Sequence, residues 1–180
     1  LKLLMTDDSR EAFVIAAGLD RQNRERQTVE KEVAAEAEEW VASRFQPDRD
    51  VTIVAGARDW HQGVLGIVAS RIMRRYHRPT IVVGFGEDGM GKGSGRSVEG
   101  FSLVEALSSC SALLEKFGGH ELAAGLSIHE EHFDTFREEF EKFARSVSDT
   151  GMLTPTLRLD ARIELREIDD AFLEAQDRLE

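Results

Sequence analysis

The stretch VTIVAGARDWHQGVLGIVASRIMRRYHRPTIVVGF, residues 51–85, decides the fold. Residues 51–55 and 80–85 are apolar runs typical of buried strands, and residues 64–77 between them have the spacing of an amphipathic helix. The side chains expected to face inward from this helix are Val64, Ile67, Val68 and Ile72. A strand, helix, strand succession is a βαβ unit and implies a parallel strand pair. The sequence therefore predicts an α/β fold with a mixed sheet flanked by helices.

Two glycine-rich motifs follow, GKGSGRS at residues 91–97 and KFGGH at residues 116–120. We interpret both as loops, because glycine lets backbone N–H groups turn toward an anion without a Cβ in the way. Arg96 can add a planar, bidentate grip on phosphate. The two motifs flank one short helix and would converge on a single anionic ligand, although the same residues also suit tight turns in an ordinary α/β domain.

The entry to the helix at residues 64–77 is a third candidate for anion binding. His61 and Gly63 precede the helix and Gly66 lies in its first turn, so its N-terminal N–H groups would be open to a phosphate. The alternative interpretation is structural: Trp60 anchors the core, and His61 caps the helix or lies on the surface. The sequence leaves both interpretations open.

A long helical region precedes the βαβ unit. Residues 6–19 are predicted as one helix, with capping residues at 6–9, and residues 20–45 as a second, connecting helix. The glutamates along the second helix are interpreted as a solvated face. The proline-containing segment at residues 46–50 ends the helix, and we place a domain boundary there.

The chain after the second glycine motif continues with a predicted strand at residues 123–128, a helix at residues 132–147 and a half-exposed strand at residues 157–165. A last helix starts at residue 169. Phenylalanines repeat at three and four residues along the helix at 132–147 and should pack in the core. They are Phe133, Phe136, Phe140 and Phe143. The predicted units are 1–46, 47–148 and 149–180.

The net charge of −11 argues against indiscriminate binding of nucleic acid. Residues 58–120 are the exception, with 8 basic and 6 acidic residues, whereas the rest of the chain has 15 basic and 28 acidic residues. A locally positive cleft in an acidic protein favours one threaded strand over loose coating of a polyanion.

No apolar run is long enough to span a membrane, and the single cysteine, Cys110, suits a reducing compartment. We therefore expect a cytoplasmic location and no membrane partner.

The sequence contains no recognisable catalytic centre. His120 lacks the second histidine four residues later that a zinc-protease helix requires, no serine lies in a nucleophile elbow, and no P-loop is present. The residues by themselves indicate phosphate binding without a group that would hydrolyse a phosphate ester.

Five motifs resemble, in order and spacing, the RecJ family of single-strand-specific DNA exonucleases, which belongs to the DHH phosphoesterase superfamily. The similarity covers most of residues 51–147, the DHH-associated domain of that family. Residues 6–45 resemble the end of the DHH domain with its long connecting helix, and the residues from 157 onward are similar to the start of an OB-fold region. The five motifs lie at residues 59–71, 78–79, 92–97, 116–120 and 123–127.

The resemblance implies the substrate-binding part of a 5′-to-3′ exonuclease that acts in DNA recombination and repair. In such enzymes the DHH domain binds two Mn²⁺ or Mg²⁺ ions, which activate water for attack on the phosphodiester. The motifs of that domain are absent from this sequence, so we expect no metal or cofactor site here and no activity from this chain alone. His120 would contact a substrate phosphate near the metal site. The residues expected to bind phosphate are His61, Gly63, Gly66, Ser94, Gly95, Arg96, Ser97, Gly118, Gly119 and His120.

The partners that the resemblance implies are single-stranded DNA, the DHH and OB-fold domains of the same protein, and a single-strand-binding protein. Two other functions stay open. One is a DHH-superfamily phosphodiesterase for short oligonucleotides or cyclic dinucleotides. The other is a non-catalytic RNA-binding accessory domain like that of alanyl-tRNA synthetases.

Overall fold

The computed structural model describes residues 2–149, 151–157 and 159–178, and it contains a five-stranded sheet with helices on both faces. The helices are α1 (Lys2–Met5), α2 (Ser9–Arg44), α3 (Leu65–Tyr76), α4 (Leu103–Ser109), α5 (Phe133–Val147) and α6 (Asp170–Asp177). The strands are β1 (Ile53–Arg58), β2 (Thr80–Phe85), β3 (Met90–Arg96), β4 (Lys116–His120) and β5 (Ala123–His129). Short 3₁₀ turns lie at Gln62–Val64, Ser111–Leu113, Glu130–His132 and Leu165–Glu167.

The strand order in the sheet is β1-β2-β3-β5-β4. β1 and β2 run parallel and are connected through α3, which confirms the predicted βαβ unit. All other neighbouring pairs are antiparallel, so the sheet is mixed, as the sequence predicts. The chain places β5 between β3 and β4, which makes β4 an edge strand.

The N-terminal helical region is one helix and not two. α2 continues through Gly18 and Asp20 for 36 residues, which corresponds to about 54 Å. The predicted start of a second helix at residue 20 is wrong, because no proline interrupts the backbone and Arg24 pairs with Asp20 across one helical turn. The predicted capping segment is confirmed at Asp8, whose side chain accepts a hydrogen bond from the Arg10 N–H at 2.8 Å.

Only the C-terminal part of α2 packs against the sheet domain. Its buried residues join a core that includes side chains of β1, β2 and α3, whereas Phe13, Val14 and Leu19 in the N-terminal half are exposed. The buried residues of α2 are Val33, Ala34, Ala37 and Val41. In the part of the chain that the structure describes, no helix is both long and apolar enough to cross a membrane.

Three of the α2 glutamates bind groups of the α3 segment, so the predicted solvated face is wrong for them. Trp60, buried at the start of the loop before α3, donates its Nε1–H to Glu36 at 2.8 Å. Glu30 and Glu38 form ion pairs with arginines of α3. These contacts form because α2 lies against α3. The amphipathic pattern of one helix does not predict which helix it packs against.

Apolar side chains fill both sides of the sheet. α2 and α3 cover one side, and α4 and α5 cover the other. Phe136 and Phe140 of α5 are fully buried, which confirms the predicted phenylalanine stripe, and Cys110 is buried beside them. Ile67 differs from the prediction, because the buried face of α3 centres on other positions and leaves Ile67 40% exposed. The buried residues of α3 are Leu65, Val68, Ala69 and Ile72.

Glu141 of α5 joins the last long helix to the entry of β1. Its carboxylate accepts hydrogen bonds from the backbone N–H groups of Val51 at 3.0 Å and Thr52 at 2.9 Å, and from the Thr52 hydroxyl at 2.5 Å. Arg145, one turn later in α5, contacts the same carboxylate at 2.6 Å. This charge-assisted cluster fixes the point where the chain enters the sheet.

The C-terminal region forms no strand in its described residues. The strand predicted at residues 157–165 is wrong: residues 157 and 159–164 have no regular structure, and Leu157 and Leu159 are exposed. A strand needs a neighbouring strand for its hydrogen bonds, and an alternating pattern does not supply one. The last helix is confirmed as α6, and Asp169 caps it by accepting a hydrogen bond from the Phe172 N–H at 2.8 Å.

Candidate nucleic-acid interface

The first glycine motif is a strand, and the prediction of a loop is wrong. β3 contains Gly91, Gly93 and Gly95 and pairs with β2 on one side and β5 on the other, so the sheet uses its backbone N–H groups. The glycines serve close packing. A Cβ on Gly91 would fall 2.6 Å from the Phe85 ring, and one on Gly93 would fall 2.9 Å from Leu126 Cγ. The backbone of this segment therefore does not cradle a phosphate.

The opposite face of β3 carries the polar side chains of the motif. Lys92, Ser94 and Arg96 alternate with the glycines and lie on the side of the sheet that α3 partly covers. Arg96 Nη1 donates to Ser94 Oγ at 3.1 Å and to the Gly95 carbonyl at 2.7 Å. A Cβ on Gly66 of α3 would lie 2.9 Å from Arg96 Nη2 and 3.2 Å from Ser94 Oγ. The absence of a side chain at Gly66 thus lets α3 approach these two polar groups.

The second glycine motif is also a strand. β4 pairs with β5, which in turn pairs with β3. Residues directly opposite each other on antiparallel strands point to the same face, so these three strands present three cross-strand rows on the α3 side. We call this surface the glycine shelf. Its rows are Lys92, Ser127 and Lys116, then Ser94, Gly125 and Gly118, then Arg96, Ala123 and His120.

The glycine shelf is open, flat in the middle and basic at both ends. With strands about 4.8 Å apart and alternate residues about 7 Å apart, its nine positions cover roughly 10 Å by 14 Å. The middle row is nearly bare, since a Cβ on Gly118 would meet no atom within 4 Å. The end rows hold all of its cationic side chains, and none of the nine positions is acidic. The side chains of Lys92, Lys116 and His120 form no hydrogen bond or ion pair with another residue that the structure describes.

His61 begins the 3₁₀ turn that leads into α3. Its Nδ1 accepts a hydrogen bond from the Gly63 N–H at 3.1 Å, so this N–H is not free for a ligand. With Nδ1 as the acceptor, the proton of the neutral ring lies on Nε2, which keeps its capacity to donate. The structural interpretation of this segment is confirmed, because Trp60 is a core residue and His61 caps the turn.

Comparison with known proteins identifies the family. Residues 50–146, more than half of the chain, match the DHHA1 domain. The chain belongs to the DHHA1 domain family. Its sequence is similar to Single-stranded-DNA-specific exonuclease RecJ of Bacillus subtilis, with 40% identity over 159 residues, which are 88% of this chain and 20% of that protein. The protein of the same name from Escherichia coli is 39% identical over 159 residues, covering 84% of this chain and 27% of that protein.

The fold of this chain is also similar to solved structures of RecJ. RecJ of Thermus thermophilus in complex with Mg²⁺ matches with a TM-score of 0.72 and 37% identity, over 82% of this chain and 22% of that chain. Exonuclease RecJ bound to manganese matches with a TM-score of 0.69 and 38% identity, over 82% of this chain and 36% of that chain. The resemblance to RecJ and the predicted fold are confirmed. The chain spans 20% to 36% of the length of these relatives.

Three of the predicted phosphate-binding residues of the DHHA1 domain lie away from the shelf surface. Ser97 is buried and its hydroxyl donates to the Phe101 carbonyl at 2.9 Å, so it has a structural partner. Gly95 faces the core on the other side of the sheet. Gly119 has a φ of +147°, and a Cβ there would lie 2.4 Å from the Ala123 carbonyl oxygen. Ser97 and Gly95 therefore have structural roles, whereas Gly119 is exposed on the edge strand β4 and its contact with a phosphate stays a prediction.

The remaining predicted residues surround one surface of the DHHA1 sheet. Gly66, Ser94 and Arg96 form one border of the shelf, while Gly118 and His120 belong to the opposite border on β4. His61 and Gly63 lie just before Gly66 at the start of α3. Three polar residues of the shelf are not among the residues predicted from the sequence, although they alternate with core-facing residues along β3, β4 and β5. They are Lys92, Lys116 and Ser127.

The described DHHA1 residues offer no metal centre. Within them, no group of three or more His, Cys, Asp or Glu side chains lies close enough to hold a metal ion. His129 and His132 are partly exposed, and His129 Nε2 lies 3.3 Å from a carboxylate oxygen of Glu115. The resemblance implies Mn²⁺ or Mg²⁺ in the DHH domain and not among these residues.

Proposed function

We propose that this DHHA1 domain holds a single DNA strand by its phosphates as the substrate-binding part of a RecJ-like exonuclease. The observation that carries the proposal is the glycine shelf, a flat strip with cationic side chains at both ends in a protein with a net charge of −11. Local positive charge within an acidic protein favours a strand bound in one place over loose coating.

The side chains of the shelf suit phosphate oxygens. Arg96 uses only Nη1 for bonds to Ser94 and Gly95, so Nε and Nη2 keep their donor capacity. Lys92 and Lys116 flank Ser127 in one row, which places two ammonium groups and a hydroxyl together. An arginine held by neighbouring acceptors loses little conformational freedom when a phosphate binds.

The floor of the shelf suits a ligand that is recognised through its backbone. The middle row consists of Ser94, Gly125 and Gly118, so few side chains there could read the edges of bases. The shelf is two β-strand spacings wide, which is enough for one DNA strand lying along the sheet. Contacts of this kind are independent of sequence, as non-specific binding of single strands requires.

The rest of the proposal follows from the family. Relatives of 35–40% identity are named single-stranded-DNA-specific exonucleases. We propose that the DHH domain holds the Mn²⁺ or Mg²⁺ ions of hydrolysis, that His120 contacts a substrate phosphate beside them, and that an OB-fold region guides the strand. Digestion from the 5′ end, a role in DNA recombination and repair, and contact with a single-strand-binding protein belong to the same proposal.

The test is the binding of a labelled single-stranded oligodeoxynucleotide to this chain over a range of salt concentrations. Each phosphate contact that is lost should lower the slope of log K against log salt by about 0.7. We expect Arg96→Gln to reduce both affinity and slope. Arg137→Gln is the charge-matched control, because Arg137 lies on α5 at the other side of the sheet. Equal slopes for the two variants, or no salt-dependent binding by the wild type, would overturn the proposal.

Competition experiments separate the other functions. A dinucleotide that competes as well as a longer strand would point to a phosphodiesterase for short substrates, and preference for a structured RNA would point to an RNA-binding accessory domain. We also propose that the chain alone is inactive. Metal-dependent nuclease activity of the purified chain that His120→Ala abolishes would contradict this part.

A further inference from the structure

A second basic surface runs along α3 beside the glycine shelf. It is a groove of about 610 Å³ whose walls include Gly66, Ser70, Arg71 and Arg74 of α3 and Arg96 of β3. We call it the α3 groove. Gly66, Ser70 and Arg74 are four residues apart, so they line one side of the helix over about 12 Å. Arg96 belongs to both surfaces, which makes the groove continuous with the shelf.

The arginines of the α3 groove keep most of their donors for a ligand. Within the described residues, the Arg74 guanidinium has no hydrogen bond or ion pair. Arg71 is bonded only through Nη2, to Glu30 at 2.8 Å, and Arg96 only through Nη1. Since a guanidinium has five N–H donors, each of the three can still bind an anion through two parallel hydrogen bonds.

The carboxylate that pairs with Arg71 does not neutralise the groove. Glu30 is not among the lining residues, and its 13% exposed side chain accepts hydrogen bonds from both Arg71 and Arg26, at 2.8 and 2.9 Å. Two guanidinium groups share one carboxylate, so this trio keeps a positive charge. Glu30 thereby acts as a positioning residue that holds Arg71 at the groove wall.

We propose that the α3 groove is a second phosphate subsite, in which Arg71 and Arg74 bind the DNA strand on the far side of Arg96 from the shelf. The inference rests on the proposed function and adds residues that the glycine motifs do not contain. The cationic groups extend from Arg96, which lies against Gly66, to Arg74, about 12 Å further along the helix. This spacing suits the repeated phosphates of a strand better than a single small anion. Ile67, exposed at the groove wall, offers an apolar contact to a sugar or base.

The test compares three neighbouring arginines of α3 in the salt titration of oligodeoxynucleotide binding. Arg71→Gln and Arg74→Gln remove groove residues. Arg75→Gln is the matched control, because Arg75 pairs with Glu38 of α2 as Arg71 pairs with Glu30 but does not line the groove. Urea unfolding of each variant verifies that the fold is intact. We expect each groove variant to weaken binding and to lower the salt slope by about 0.7, and Arg75→Gln to behave as wild type.

The outcomes separate this inference from the function on which it rests. If Arg96→Gln lowers the slope while Arg71→Gln and Arg74→Gln match Arg75→Gln, the second subsite is wrong and the shelf proposal stands. If the wild type shows no salt-dependent binding, or Arg96→Gln has no effect, the shelf proposal fails and the subsite fails with it.

Discussion

Gly66 of α3 lies directly against the guanidinium group of Arg96: a Cβ at Gly66 would fall 2.9 Å from Arg96 Nη2. Contacts this short force the neighbour to move, and here the neighbour is the end of a flexible side chain. The role of glycine at this position is therefore to leave room for the Arg96 guanidinium, and not to stabilise the helix. Folding and ligand binding can be separated at this position.

Gly66→Ala should weaken binding of single-stranded DNA while it leaves the fold intact. Alanine favours the helix, and the displaced Arg96 side chain costs little free energy because it is partly exposed, so the free energy of unfolding should change by no more than about 1 kcal/mol. The measurements are urea unfolding and oligonucleotide affinity. Gly18→Ala is the control, since a Cβ at Gly18 of α2 meets nothing within 4 Å. If both variants bind equally well, the placement of Arg96 by Gly66 does not matter for binding.

Gly119→Ala should destabilise the domain by about 1–3 kcal/mol or more. Its φ of +147° is unfavourable for other residues, and the added Cβ would meet backbone atoms of Ala123 and Ala124 at 2.4 and 2.5 Å. These backbone atoms are held in the sheet and cannot move aside as the end of a flexible side chain can. Gly118→Ala, one residue earlier in an open environment, should change stability by no more than about 0.5 kcal/mol. Equal urea midpoints for the two variants would contradict this account of β4.

Glu141→Gln should reduce the free energy of unfolding by about 1–3 kcal/mol. The substitution leaves one amide oxygen where a carboxylate now accepts hydrogen bonds from Val51, Thr52 and Arg145. Glu138→Gln, on an exposed position of the same helix, is the control and should have little effect. The measurement is the urea midpoint at neutral pH, and a loss as small as that of the control would show that Glu141 does not fix the entry of β1.

The ion pair between Arg58 and Glu130 should contribute stability only above acid pH. Arg58, hydrogen-bonded to Glu130 through Nε at 3.0 Å and Nη2 at 2.8 Å, holds the pKa of that carboxyl below its ordinary value of 4.5. Because the folded-state pKa is the lower one, the contribution is present above pH 4.5 and disappears as the pH falls through the folded-state pKa.

Urea midpoints of wild type and Glu130→Gln should therefore differ at pH 7 and converge in acid. The effect should be small and should shrink with added salt, because both side chains are exposed. Glu87→Gln, on the exposed turn between β2 and β3, should show no such pH dependence. A constant difference between wild type and Glu130→Gln at every pH would mean that the carboxylate charge is not what matters.

The sequence predicts those elements whose burial follows from the residue pattern within the element itself. The apolar runs of β1 and β2 and the phenylalanine spacing of α5 each reflect one element facing one core. The glycines of β3 could not be interpreted in this way. Gly91 and Gly93 make room for Phe85 and Leu126, which come from other strands, so the reason for glycine lies outside the motif.

The candidate site was predictable in its residues more than in its geometry. The two glycine motifs predict Arg96 and His120 on one surface, and the structure places them in one cross-strand row. The sequence does not predict that Lys92 and Lys116 share a row, because they become neighbours only through β5, which follows both in sequence but lies between their strands. A non-sequential strand order cannot be deduced from local patterns.

The bare middle row of the glycine shelf has a thermodynamic consequence. Gly125 and Gly118 have no rotamers to lose, and Ser94 has only a hydroxymethyl group, so a ligand lying across them immobilises almost no protein side chain. The ordering entropy of binding falls on the ligand and on the few cationic side chains at the two ends. A ligand strand that slides over the shelf then exchanges contacts only with the cationic side chains at the two ends of the shelf. No side chain in the middle row has to rearrange at each step.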